Sequence, residues 1–179
     1  MKTIRIDDYT VAPTDGFIFD TNVWLFLFCP MASANIKKQK TYSSIFAEIL
    51  NRGAGLYITS LIIAEYINRV LHIGFEHWKN EDRNNRINAK FKETYRNTEH
   101  YSLTLTNAKD QVNEILKCAK RHPDNFHIIN IDALLEKLDS KCDYNDAYIV
   151  YCCEKSGFKL VSDDSDMQAI DSGITLLTR

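Results

Sequence analysis

Residues 16–24, GFIFDTNVW, set a short apolar run, Phe17–Phe19, directly before an acid and two small polar side chains. An apolar run without alternation fits a strand buried on both faces, as in a parallel sheet. Asp20, Thr21 and Asn22 then open a helix, because an aspartate ahead of a helical run is a good N-cap. A second stretch, LYITSLIIAEYINRVL (56–71), repeats the order of strand then helix and carries Glu65. In a third, KLVSDDSDM (159–167), the run Phe158–Val161 leads into Asp163, Asp164 and Asp166. Asp146 sits early on an apolar helix in DYNDAYIVYCCE (143–154). In a parallel α/β sheet such acids collect outside the carboxyl ends of the strands.

The rest of the chain continues the alternation. Lys38–Asn51 is amphipathic, with Tyr42, Ile45, Phe46 and Ile49 on one face, and is closed by Gly53. Leu56–Thr59 reads as the second strand, leading into a helix from about Ser60 to His72. A polar helical region fills about 76–121. His127–Ile131 is predicted as a third strand and Ile131–Leu138 as a short helix. Asp143 caps a helix to about Lys155, Phe158–Val161 is the fourth strand, and Ile174–Leu177 the fifth. Strands alternating with helices predict an α/β fold with a central parallel sheet of four or five strands and right-handed crossovers.

With 179 residues, 45% of them apolar, the chain is expected to form a single domain, 1–179, with a helical insert at about 76–121. Its net charge of −2 excludes a global basic footprint, so nucleic acid would have to be met by a local patch and bound metal. Five cysteines without a C-x-x-C spacing read as reduced structural thiols of a cytoplasmic protein. No run is long enough for a membrane span, and the opening MKTIRIDDYTVAPTDG lacks a signal-peptide core.

Each acid has a purely structural reading. Asp20 could serve only as a helix cap, and Glu65 could pair with Arg69 at i,i+4. Asp143-Tyr-Asn-Asp146 resembles a capping box, and SDDSD a solvated turn. Against this, a lone carboxylate among Ile62, Ile63, Ala64 and Ile67 is costly unless compensated. Four such coincidences are better explained by one shared site. Crowded carboxylates raise one another's pKa, so a cation is needed to keep them ionised. Oxygen-only ligands suit Mg²⁺ or Mn²⁺, and clustered carboxylates holding such ions suit phosphodiester hydrolysis. The five histidines show no H-E-x-x-H, and no Gly-rich phosphate loop is present.

FIFDTNVW, the glutamate of SLIIAEY, and NDAYIVYCCEKSGFKLVSDDSDM, in that order, resemble the PIN domain, a family of compact metal-dependent nucleases. The resemblance spans roughly 16–72 and 127–178. It implies a three-layer αβα fold, with metal held by Asp20, Glu65, Asp146 and Asp164 and with Asp166 as an auxiliary ligand. Thr21, Asn22 and Ser162 would support the carboxylates through hydrogen bonds. Many members are ribonucleases, and many bacterial ones are toxins, so the resemblance implies an RNA substrate, an antitoxin partner if the chain is such a toxin, and a homodimer. Ser162 stands where threonine is common and Met167 where an aromatic is frequent. The insert is bulkier than in minimal toxin-type members.

That insert is locally basic, with Lys79, Arg83, Arg86, Lys90, Lys92 and Arg96 against Glu81, Asp82 and Glu93, and with Trp78, Phe91 and Tyr95 interleaved. Arg83, Arg86 and Lys90 would form an RNA track if the rings face solvent. A solvated helix with its rings packed inward fits the same pattern, and so does a dimer or inhibitor surface. Two other functions compete with hydrolysis. One is a non-catalytic RNA-binding or scaffold module of the same fold. The other is an aspartyl-phosphate phosphatase built on Asp20, which would want a second aspartate where Asn22 stands.

Overall fold

Strand β2 (Gly16–Phe19) lies near the middle of a six-stranded, all-parallel sheet and is buried along its whole length. The computed structural model describes residues 1–32 and 35–179. The other strands are β1 (Lys2–Arg5), β3 (Gly55–Ile58), β4 (Lys120–Arg121), β5 (Lys159–Val161) and β6 (Thr175–Thr178), in the spatial order β1-β6-β5-β2-β3-β4. The helices are α1 (Thr21–Phe28), α2 (Ile36–Asn51), α3 (Ser60–Glu81), α4 (Arg83–Arg86), α5 (Glu99–Cys118), α6 (Ile131–Leu135) and α7 (Tyr144–Ser156).

From β2 the chain steps outward to β3 and β4, then returns to β5 on the other side of β2 and continues outward through β6. Right-handed crossovers therefore put α1–α5 on one face and α6–α7 on the other, giving three layers. Packing agrees: α1 contacts α2 and α3, α3 packs on α5, and α7 lies against β2 and β5. The reversal between β2 and β5 is the point where a crevice opens outside the strand ends. Asp20 directly follows β2, and Ser162 directly follows β5.

Two strands differ from expectation. β1 and β4 are the sheet edges, short and largely exposed, so neither carries an apolar run to announce it. The stretch predicted as a third strand, His127–Ile131, instead holds a 3-10 turn over Phe126–Ile128. Sheet pairing is taken by Lys120 and Arg121 against Tyr57 and Ile58, and His122 N still donates to Ile58 O at 2.8 Å. Pro123 then has no N–H to extend the ladder. Phe126 and Ile128 stay exposed, so their hydrophobicity has no sheet face to fill.

The insert is built on an antiparallel pair of helices. Tyr66 on α3 donates to Gln111 on α5 at 2.8 Å, and eight residues further along α3 Gly74 abuts Thr104. A Cβ on Gly74 would lie 2.6 Å from Thr104 Cγ2, so this glycine permits the close approach. Beyond it Phe75, Trp78 and Tyr95 form a small second core with Phe91 and Tyr101 around them. The interleaved rings thus pack inward. Among the described residues no helix is long and apolar enough to cross a membrane. No disulfide joins the five cysteines, four of which are buried.

Candidate metal centre

Asp20 is the hub. As N-cap of α1 it accepts from Thr21 N on Oδ1 at 2.6 Å, while Oδ2 accepts from Asn22 Nδ2 at 2.6 Å and Ser162 Oγ at 2.7 Å. The capping role and a place in the cluster therefore coexist. Only 7% of the residue is exposed. Burial pushes its pKa from 3.8 up to about 6; the bonds from Ser162 and Thr21 oppose the rise, and the charges of Glu65 and Asp164 add to it.

Glu65, half-buried on α3, receives the Thr21 hydroxyl on Oε2 at 2.9 Å. Thr21 thereby joins α3 to the end of β2. The alternative ion pair with Arg69 does not form among the described residues. Asp164 N donates to Ser162 Oγ at 3.0 Å, so this one hydroxyl connects Asp20 with the chain leaving β5. Asn22 makes a second connection, accepting from Asp163 N on Oδ1 at 3.2 Å.

Asp146 arrives from the opposite layer. The capping box forms: Asp146 N donates to Asp143 Oδ1 at 3.0 Å, and Asp143 N to Asp146 Oδ2 at 3.2 Å. Burial raises the Asp146 pKa from 3.8 to about 7, against the lowering effect of the Asp143 amide, and the charges of Asp143, Asp20 and Asp164 add to it. The electrostatic contacts link Asp20 to Glu65, Asp146 and Asp164. The four expected acids share one end of the sheet.

They do not close into a finished cage. Among the described residues no three Asp, Glu, His or Cys side chains are already arranged around one ion position. Each carboxylate is held by its own donor: Thr21 for Glu65, Asp143 for Asp146, and the Asp166 amide for Asp164 Oδ1 at 2.9 Å. The donor set is oxygen only, anionic and raised in pKa at two members. It fits a hard divalent cation. Asp166 itself is exposed and meets the cluster through its backbone.

Asp163 has partners that its sequence context does not reveal. Its carboxylate accepts from Tyr42 OH at 2.9 Å and is paired with Lys38, both on α2, with Arg179 nearby at 3.9 Å. The matched cation takes it out of the anionic cluster. Within SDDSD nothing in the sequence separates it from Asp164. In the insert, Arg83 and Lys90 are exposed, whereas Arg86 lies 4.3 Å over the Trp78 ring and bonds to Trp78 O and, at 3.3 Å, to Glu81. Among the described residues no ring there is bare for stacking beside Arg86.

A three-layer α/β protein with acids gathered at its topological switch point is the class that this fold and site define. The model of the PIN domain matches residues 17–173. The chain belongs to the PIN domain family, whose members are generally nucleases. Among solved structures it is similar to PAE2754 from Pyrobaculum aerophilum, at 17% identity over 91% of each chain with a TM-score of 0.48. No curated protein matches.

Proposed function

We propose that the protein is a Mg²⁺- or Mn²⁺-dependent ribonuclease that hydrolyses phosphodiester bonds at the Asp20–Glu65–Asp146–Asp164 end of the sheet. The observation that carries this reading is a buried carboxylate, Asp20, only 7% exposed, held by Thr21, Asn22 and Ser162 at the strand end where Glu65, Asp146 and Asp164 gather. Such a charge is poorly tolerated alone and well tolerated beside a cation.

When bound, the ion would supply charge neutralisation at the scissile phosphate and acidification of the attacking water. Asp20, Glu65, Asp146 and Asp164 would hold it, with Asp166 at the margin. The remaining chemistry belongs to the chain. Thr21 Oγ1 fixes the Glu65 carboxylate, and Ser162 Oγ with Asn22 Nδ2 fixes Asp20. Prepositioning of this kind spares reorganisation during the reaction. No nucleophilic side chain is required, so hydrolysis would be direct. Retention of all four carboxylates argues against the non-catalytic module. The bulky insert separates the chain from minimal toxin-type members, so the proposal rests on RNA hydrolysis and not on a toxin role.

The test is cleavage of total RNA by purified protein with Mn²⁺ and with chelator, for wild type and Asp20→Asn. Wild-type cleavage only with metal, lost in the variant, is expected. Equal cleavage by both proteins would overturn the assignment of Asp20. No cleavage by wild type with Mn²⁺ would favour the non-catalytic module.

A further inference from the structure

The exposed stripe of α3 continues the site. Glu65, Arg69, His72 and Glu76 follow one another at spacings of four, three and four residues, which places them on one face of a helix. A groove lined by Glu65, Asn68, Arg69, His72 and Asn145 starts beside Asp146. A second groove shares Arg69 and His72 and carries on past Glu76 and His77 to Asn80. At about 1.5 Å per residue, Glu65 to Asn80 spans about 22 Å.

The cationic and polar members of this stripe are unspent. Arg69, Asn68 and His77 are exposed and make no hydrogen bond or ion pair among the described residues. His72 is exposed and its single ring contact is a stack on Phe91 of the insert, with centroids 4.3 Å apart and planes 13° from parallel. The insert core thus holds the imidazole flat at the groove. By contrast, Arg86 and Lys90 of the insert are already paired with Glu81 and Glu93.

We infer that the α3 groove is the substrate track, with single-stranded RNA running from the acidic end past Arg69 and His72, Arg69 meeting a phosphate and the stacked His72 ring a base. This rests on the ribonuclease reading for its ligand. The physical need is local: four acids repel a polyanion, and a net charge of −2 supplies no global attraction. Arg69 is a permanent cation beside Glu65, within the same groove. Flat rings bind bases without sequence preference. The insert then has a role, since Phe91 supports the ring from behind.

Binding of a fluorescein-labelled single-stranded RNA is measured by anisotropy in chelator, where cleavage is blocked, for wild type, Arg69→Gln, His72→Ala and a control, Lys2→Gln. Lys2 begins β1, at the amino end of the parallel sheet. Arg69→Gln is expected to weaken binding roughly tenfold and to lower the salt slope by about one. His72→Ala is expected to weaken binding severalfold with the slope unchanged, and the control to match wild type. Mn²⁺ binding and melting temperature, measured on each variant, are expected to stay at wild-type values. Wild-type affinity and slope in both α3 variants would overturn the track, as would an equal loss in the control or a wild type that does not bind RNA. Wild type that binds through Arg69 but never cleaves with Mn²⁺ would keep the track and remove the nuclease reading. Cleavage without dependence on Arg69 or His72 would do the reverse.

Discussion

Ser162 donates its hydroxyl to Asp20 Oδ2 at 2.7 Å and accepts the Asp164 amide at 3.0 Å. One fully buried hydroxyl therefore ties the ends of β2 and β5 together. Ser162→Ala removes a donor to a buried acid and a partner of a backbone amide. A loss of about 1–3 kcal/mol is expected, read as a shift of the urea midpoint. The Ser162 bond holds the Asp20 pKa down, so titration of Asp20 by NMR should move above about 6 in the variant.

Asp20→Asn is expected to weaken metal binding at least tenfold while leaving the metal-free fold at least as stable at neutral pH. In the folded chain Asp20 ionises at about 6 instead of 3.8, so the folded state binds the extra proton between those values. Stability therefore falls as pH rises through that window, by on the order of 3 kcal/mol, and the deficit persists above it. Removing the charge flattens this slope, less a part lost to a mismatched hydrogen bond. Denaturation curves from pH 4 to 7.5 on both proteins check it. An unchanged slope in the variant would remove Asp20 as its source.

Mn²⁺ should bind more tightly as pH rises from 5.5 to 7.5, with release of protons. Asp20 and Asp146, with pKa values of about 6 and about 7, must shed protons to act as ligands. Calorimetry in two buffers of different ionisation enthalpy measures that release. At pH 8 the release should vanish.

Gly74→Ala should destabilise the insert. Its new Cβ would meet Thr104 Cγ2 at 2.6 Å and Tyr95 Oη at 2.8 Å, where α3 and α5 touch. A cost of about 1–3 kcal/mol is expected, above the small helix-propensity gain. Chemical denaturation followed by Trp78 fluorescence in a Trp24→Phe background reads it, and a stabilised variant would mean that the helices part freely.

Much of this architecture is legible in the residues because the central strands are buried on both faces and read as unbroken apolar runs. Phe17–Phe19 and Leu160–Val161 are such runs, and the acids follow directly. Edge strands carry no such mark: Lys120–Arg121 is two basic residues, whereas the apolar Phe126–Ile128 beside it lies outside the sheet. The capping box at Asp143 and Asp146 is local chemistry, so its spacing alone shows it. Whether Asp163 or Asp164 joins the cluster is not local. It is decided by Lys38 and Tyr42, more than a hundred residues away, which occupy the Asp163 carboxylate. The inward packing of Trp78 and Tyr95 likewise depends on α5 closing over α3.

Four dispersed carboxylates are predicted to grip one hard cation together. Mn²⁺ titration by calorimetry at pH 7.5, on wild type, Asp20→Asn and Glu65→Gln, tests it most directly. Saturable binding by wild type, with affinity lowered by at least tenfold in each variant, is predicted. Heat signals indistinguishable from buffer for wild type, or equal affinity in all three proteins, would contradict it.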